Sequence, residues 1–291
     1  MSDVLTTQET EIECADGTRL RASEWHPAHS NGCVVQINSA LAVPRRYYAK
    51  FAHFLAEQGF AVVTYDYRGT GDSLRGHHRD SKATFRQLGE CDMAAATRYV
   101  QQKFPGQRHV VIGHSAGAAL YGLAPNCAEV DALLAVAAPS AFQGNYRYPH
   151  RFLISLFFNI CIPVATPAFG YFPGQYFGIG PLPRDIALQW QRWSKHQDYV
   201  VEADGTPLRE HYHQFRSPVR FLHIADDKLY GPLKSVQSVA SFYANAPRQI
   251  VTVAPRDVGM RKIGHFGFFR STMPQRVWQS AARWLLDPQT P

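Results

Sequence analysis

Gly113, His114, Ser115, Ala116 and Gly117 form a GxSxG pentapeptide. A serine hydroxyl is a weak nucleophile at neutral pH, so Ser115 can attack a carbonyl only with a base in hydrogen-bond reach and a third group to orient that base. The apolar run from His109 to Ile112 reads as a buried strand, and the stretch from Ala116 to Leu123 as a helix of small residues. A sharp turn between them would lift the hydroxyl above a sheet and strain the Ser115 backbone, with the flanking glycines making room.

The partners should lie at later strand ends. Among 13 histidines, His265 is the best-placed base: it follows the last expected strand, between Gly264 and Gly267. Asp226 and Asp227 follow the strand ending at Ile224. Asp227 is the expected acid and Asp226 the alternative, although aspartates after a strand commonly serve only to turn the chain. Acyl transfer also develops an oxyanion, which two backbone N–H groups usually receive. Ala116, directly after the nucleophile, should supply one, and Ala40, in the small-residue loop Asn38, Ser39, Ala40, Leu41, the other.

These groups need a frame. Segments from Thr10 to Cys14 and from Leu20 to Trp25 alternate apolar and polar residues around a turn and read as a hairpin. Further strands are expected from Val34 to Ile37, Phe60 to Tyr65, Ala132 to Ala138, Val219 to Ile224 and Gln249 to Val253. Helical spacing falls between them, from Tyr47 to Gln58, Phe85 to Phe104, Pro232 to Tyr243 and Pro274 to Leu286. Strands alternating with helices, several of them apolar throughout, predict an α/β protein with a mostly parallel central sheet. The alternation breaks over 140–214, which predicts a cap insertion between two parts of a core, 1–139 and 215–291.

With the chain order Ser, Asp, His, the sequence resembles an α/β-hydrolase fold serine hydrolase over nearly its whole length. The stretch from Tyr65 to Ser73, TyrAspTyrArgGlyThrGlyAspSer, resembles the turn after that family's fourth strand, a brace beside the site. Together with the double aspartate and the GlyHisPheGlyPhePhe run around His265, it is similar to an uncharacterised bacterial branch of α/β-hydrolase-like proteins. Two positions depart from the family pattern: Asn38 and Ser39 replace the usual HisGly before the oxyanion loop, and Ala118 stands where many relatives have a third glycine. The resemblance implies ester cleavage through an acyl-enzyme, with thioester hydrolysis, acyl transfer and peptide cleavage as alternatives that share the triad. A non-catalytic binder of an apolar ligand on the same scaffold is the alternative from another class.

In the cap, Phe152, Leu153, Ile154, Leu156, Phe157, Phe158, Ile160 and Ile162 make a stretch long enough to raise a membrane-spanning reading. Pro163 and Pro167, with Asn159, Thr166 and Gly170, argue against a single spanning helix. A cap helix over the pocket is expected instead, with at most peripheral membrane contact. Ile186, Trp190 and Trp193 recur at helical spacing, and Leu41, Phe157, Trp190 and Phe266 are the expected pocket wall for an apolar acyl group.

Composition narrows the remaining classes. With 45% hydrophobic residues in 291 the chain can bury a large core. The net charge of +7 is dispersed along the chain, giving no basic stripe for nucleic acid. The 5 cysteines have no CxxC spacing and read as buried thiols. His77 with His78 and His211 with His213 lack an accompanying HExxH or carboxylate cluster, so no metal and no cofactor is expected. Arg256, Arg261 and Lys262 read as solvated loop charges. The segment from Met1 to Gly17 lacks the features of a secretory signal, which gives the expectation of a cytoplasmic protein.

Overall fold

The computed structural model describes residues 4–288, so the first and last three residues of the expected core segments fall outside the described residues. Eight strands form one sheet: β1 (Thr6–Glu13), β2 (Arg19–His26), β3 (Cys33–Asn38), β4 (Ala61–Tyr65), β5 (Arg108–His114), β6 (Ala132–Val136), β9 (Val219–Ile224) and β10 (Arg248–Val253). Their spatial order is β1-β2-β4-β3-β5-β6-β9-β10. The first three in that order pair antiparallel and the rest parallel. A further pair, β7 (Tyr171–Phe172) and β8 (Leu182–Pro183), forms its own small ribbon.

The central strands are apolar throughout because both faces are covered. Val34, Val63, Val111 and Leu133 face one buried cluster. Their neighbours Val35, Val62, Val110 and Leu134 face the other, with helices Ala49–Glu57 and Gln275–Leu286 packed there. Register along β3, β5 and β6 sets Asn38 beside Gly113 and His114 beside Val136. The carboxyl ends of these strands and of β9 therefore open on one edge, where such sheets bind ligands.

The turn after β4 is held by buried charge. Asp66 accepts from the Arg45 amide and guanidinium and from the Asp72 amide, and Arg45 also bridges to Asp72 at 2.6 Å. Arg68 pairs with Asp92 at 2.6 Å and Asp16 at 2.7 Å. Gly71 is obligatory: φ is +52°, and a Cβ would lie 2.5 Å from the Asp66 carboxyl.

Three helical expectations are corrected. The helix after Ser115 spans only Ala116–Ala119, then tightens into a 3-10 turn, Tyr121–Leu123. The helix expected from Phe85 to Phe104 widens into a π turn over Leu88–Met93, where a Cβ on Gly89 would lie 2.7 Å from Leu120 O, at the end of that shortened helix. Residues His150–Phe169 form one continuous helical run despite Pro163 and Pro167. Its middle, Phe157–Cys161, is a π turn directly before Pro163. The wider turn relieves the clash a proline ring makes with the preceding turn's carbonyls, so the helix continues instead of breaking.

Candidate active site

Ser115 sits where β5 meets the short helix, at φ 54° and ψ −118°, a strained conformation for a residue with a side chain. The strain is held by hydrogen bonds on both sides. The Ser115 amide donates to Val136 O at 2.9 Å, and its carbonyl accepts from Ala118 and Ala119. Both motif glycines are needed for close approach. A Cβ on Gly113 would fall 2.5 Å from Ala118 Cα, and one on Gly117 would fall 2.2 Å from Asn38 O. Asn38, in place of the usual histidine, donates from Nδ2 to Gly117 O at 3.3 Å and accepts from Tyr65 Oη at 2.7 Å, tying β3 to the turn.

The loop after β9 divides its two aspartates. Asp227, buried, accepts from His265 Nδ1 at 2.6 Å through Oδ2 and from the Tyr230 amide at 3.1 Å through Oδ1. Asp226 points the other way and accepts from the Ile263 and Gly264 amides at 2.9 and 3.0 Å. One aspartate thus holds the imidazole, and the other holds the backbone that carries it. Tyr230 lies against the His265 ring, centroids 4.9 Å apart, and Tyr146 of the cap donates to Tyr230 O.

His114 adds a second brace beneath the site. Its Nε2 donates to His265 O at 3.0 Å, while Nδ1 accepts from Tyr48 Oη at 2.8 Å. Complete burial, followed by the nearby charge of His265, pushes the His114 pKa well below 6.5, so the ring is neutral, as this bonding pattern requires. Tyr48 Oη in turn accepts from the Ala40 amide at 2.8 Å.

That last bond corrects the expected oxyanion donor, because the Ala40 N–H is already engaged inside the fold. Among the described residues, the amides of Leu41 and Ala116 have no hydrogen-bond partner, and both residues line the cavity above Ser115. Ala42, at φ 60°, turns the backbone just beyond Leu41. Gly180 of the cap packs on that turn so closely that a Cβ would lie 2.5 Å from Ala42 O.

The cavity has a volume of about 340 Å³ and holds Ser115 and His265 in its lining. Among the described residues no hydrogen bond joins Ser115 Oγ to His265, an ordinary state of such pairs before substrate binds. Phe157, Phe158, Trp190, Tyr199 and Leu229 enclose the rest, and no carboxylate, lysine or arginine lines it. Phe266, expected in the wall, is placed elsewhere: its ring packs edge-on to His265 and His114, and its carbonyl accepts from Tyr47 Oη at 2.6 Å. Sequence reasoning missed Tyr230, Tyr48 and His114 as supports. Only His114 carried a signal, as the variable position of the pentapeptide.

Known proteins place this geometry in context. The family described as serine aminopeptidase, S33, matches residues 32–167. No curated protein matches the chain. Among solved structures, the chain is similar to DcsB in complex with its substrate analogue, with 16% identity, a TM-score of 0.65, and coverage of 97% of this chain and 99% of that one. It is similar to an esterase from Pyrococcus furiosus at 14% identity, TM-score 0.64, covering 97% and 91%. A thermostable carboxyl esterase from Bacillus coagulans, in complex with glycerol, follows at 14% identity, TM-score 0.62, covering 97% and 98%.

Proposed function

The chain is an α/β-hydrolase-fold protein, and on that premise we propose that it is a serine hydrolase cleaving a carboxylic ester with an apolar acyl group. The observation that carries the reading is the strained Ser115 sharing one apolar cavity with a His265 whose Nδ1 is held by buried Asp227. Ser115 Oγ attacks the ester carbonyl as His265 Nε2 takes the hydroxyl proton. Asp227 stabilises the imidazolium and fixes its orientation. The carbonyl oxygen, now anionic, receives the amides of Ala116 and Leu41, each such donor worth about 3 kcal/mol of barrier. His265 then returns the proton to the leaving alcohol. Water, activated by the same imidazole, releases the acid and restores Ser115.

An aminopeptidase reading, which the matched family's description raises, has less support. A free α-ammonium group needs a carboxylate to receive it, and none lines the cavity. Thioester hydrolysis and acyl transfer use the same machinery and differ in leaving group or acceptor.

The test is steady-state hydrolysis of p-nitrophenyl esters from acetate to long-chain acyl, with matched thioesters beside them. Wild type should turn over medium-chain esters best, and Ser115→Ala should lose at least about a thousandfold in kcat. Activity retained in that variant would refute the assignment, and a preference for thioesters would move the thioesterase reading forward.

A further inference from the structure

Helix His150–Phe169 has two opposed apolar faces. Ile154, Phe158, Ile162 and Thr166, spaced by four, are buried against the body. Phe152, Ile160 and Val164 lie two residues out of phase with that row, which places them about 200° around the helix, on the outer side. They are 63%, 54% and 65% exposed. The only polar residues at exposed positions in this run are Arg151 and Asn159. Tyr148, two residues before the helix, is 85% exposed. A monomeric surface does not normally present such a contiguous apolar face without an occupant.

Charge identifies the occupant. Between Asp131 and Asp185 the sequence contains no acidic residue, and its charged side chains there are Arg147, Arg151 and Arg184. Arg147 and Arg151 are exposed, and among the described residues neither has a carboxylate within salt-bridge distance. A second copy docked through the same face would set cationic rim against cationic rim with no acid to pair. A bilayer of anionic lipid offers acyl chains for the apolar face and phosphates for the arginines. A spanning orientation is excluded by the buried row, which would have to leave the protein core.

We propose that this face docks the protein on an anionic lipid bilayer, with the helix lying in the interfacial plane. Phe152, Ile160 and Val164 enter the acyl region, Arg147 and Arg151 meet lipid phosphates, and Tyr148 sits at headgroup level. Leu153 and Leu156 of the same helix line the cavity, so the docked face and the pocket wall are one element. Docking does not rest on the catalytic reading, and Ser115→Ala should bind vesicles as wild type does.

Co-sedimentation of the full chain with phosphatidylcholine vesicles, with and without phosphatidylglycerol, tests this. Wild type should pellet with the mixed vesicles, and Phe152→Asp/Ile160→Asp/Val164→Asp should lose at least about tenfold in partitioning while its circular dichroism is unchanged. Arg147→Gln/Arg151→Gln, conservative at exposed positions, should lose the preference for phosphatidylglycerol and keep the soluble-ester activity. Wild type remaining in the supernatant with both vesicles would overturn the proposal. So would unchanged binding by both variants, or a dimer in light scattering that the aspartate substitutions abolish while vesicle binding stays absent.

Discussion

The sheet and the cap solve opposite problems. At the carboxyl edge of the sheet, the candidate catalytic residues are fixed by polar bonds: Val136 O for the Ser115 amide, Asp227 for the His265 ring, His114 for the His265 carbonyl, and half-buried Asp226 for the Ile263 and Gly264 amides just before it. In the cap, the walls meet one another through rings and aliphatic chains, as where Trp190 lies 4.9 Å from Phe158 and 5.7 Å from Phe157. Hydrogen bonds specify direction, and apolar contacts specify mainly volume. Under the proposed function, position for the chemistry comes from the sheet, and choice of acyl group from the cap.

The contrast predicts where substitutions cost most. Asp227→Asn should keep the fold but leave the imidazole in the wrong tautomer, lowering kcat by about ten thousandfold, or roughly 5 kcal/mol. Asp226→Asn, one residue away, should cost far less in kcat, because its carboxylate holds only the Ile263 and Gly264 amides. Steady-state kinetics of the two side by side measures the difference.

Next in size is Gly117→Ala. The new Cβ would meet the carbonyl oxygens of Asn38 and Ser39 at 2.2 and 2.6 Å, both backbone atoms that cannot swing aside. A loss of about 3 kcal/mol or more in urea unfolding is expected, with activity lost alongside. In the cap, Trp190→Ala should leave acetyl-ester turnover nearly unchanged while lowering kcat/KM for long-chain esters by about tenfold to a hundredfold. An equal loss on acetate would mean that Trp190 acts on the chemistry and not on the choice of acyl group.

The smallest effect concerns pH. Burial pushes His109 from 6.5 down to about 3, and its Nε2 faces Gln36 Oε1 at 3.2 Å. A depressed folded pKa means that the unfolded chain binds the extra proton, so this contribution to stability is full above 6.5 and is lost as pH falls toward about 3. His109→Gln should flatten the decline of unfolding free energy below pH 6.5 by about one proton, read from denaturation at several pH values.

What the sequence made legible was local. The apolar run into Ser115 and the flanking glycines specify a turn within a few residues, so the turn could be read directly. The strands that frame it could be read for the same reason. The sequence favours Asp227 but leaves Asp226 an alternative, because adjacent residues leaving a strand point to opposite sides, and which side faces His265 depends on a loop 38 residues away. Ala40 was misread because its amide is taken by Tyr48, whose hydroxyl position depends on His114, 66 residues further on. Phe266 was misread for a like reason, since the bond from Tyr47 to its carbonyl turns that residue from the cavity. Pro163 marked a helix break by local rules, and a π turn absorbed it instead.

The proposed function requires Ser115 to be an activated nucleophile in a cavity that admits substrate. Intact-mass measurement of wild type and Ser115→Ala after exposure to a small fluorophosphonate tests it most directly. One covalent adduct on wild type and none on the variant is the predicted result. A folded wild type that acquires no adduct, or a variant labelled to the same extent, would contradict it.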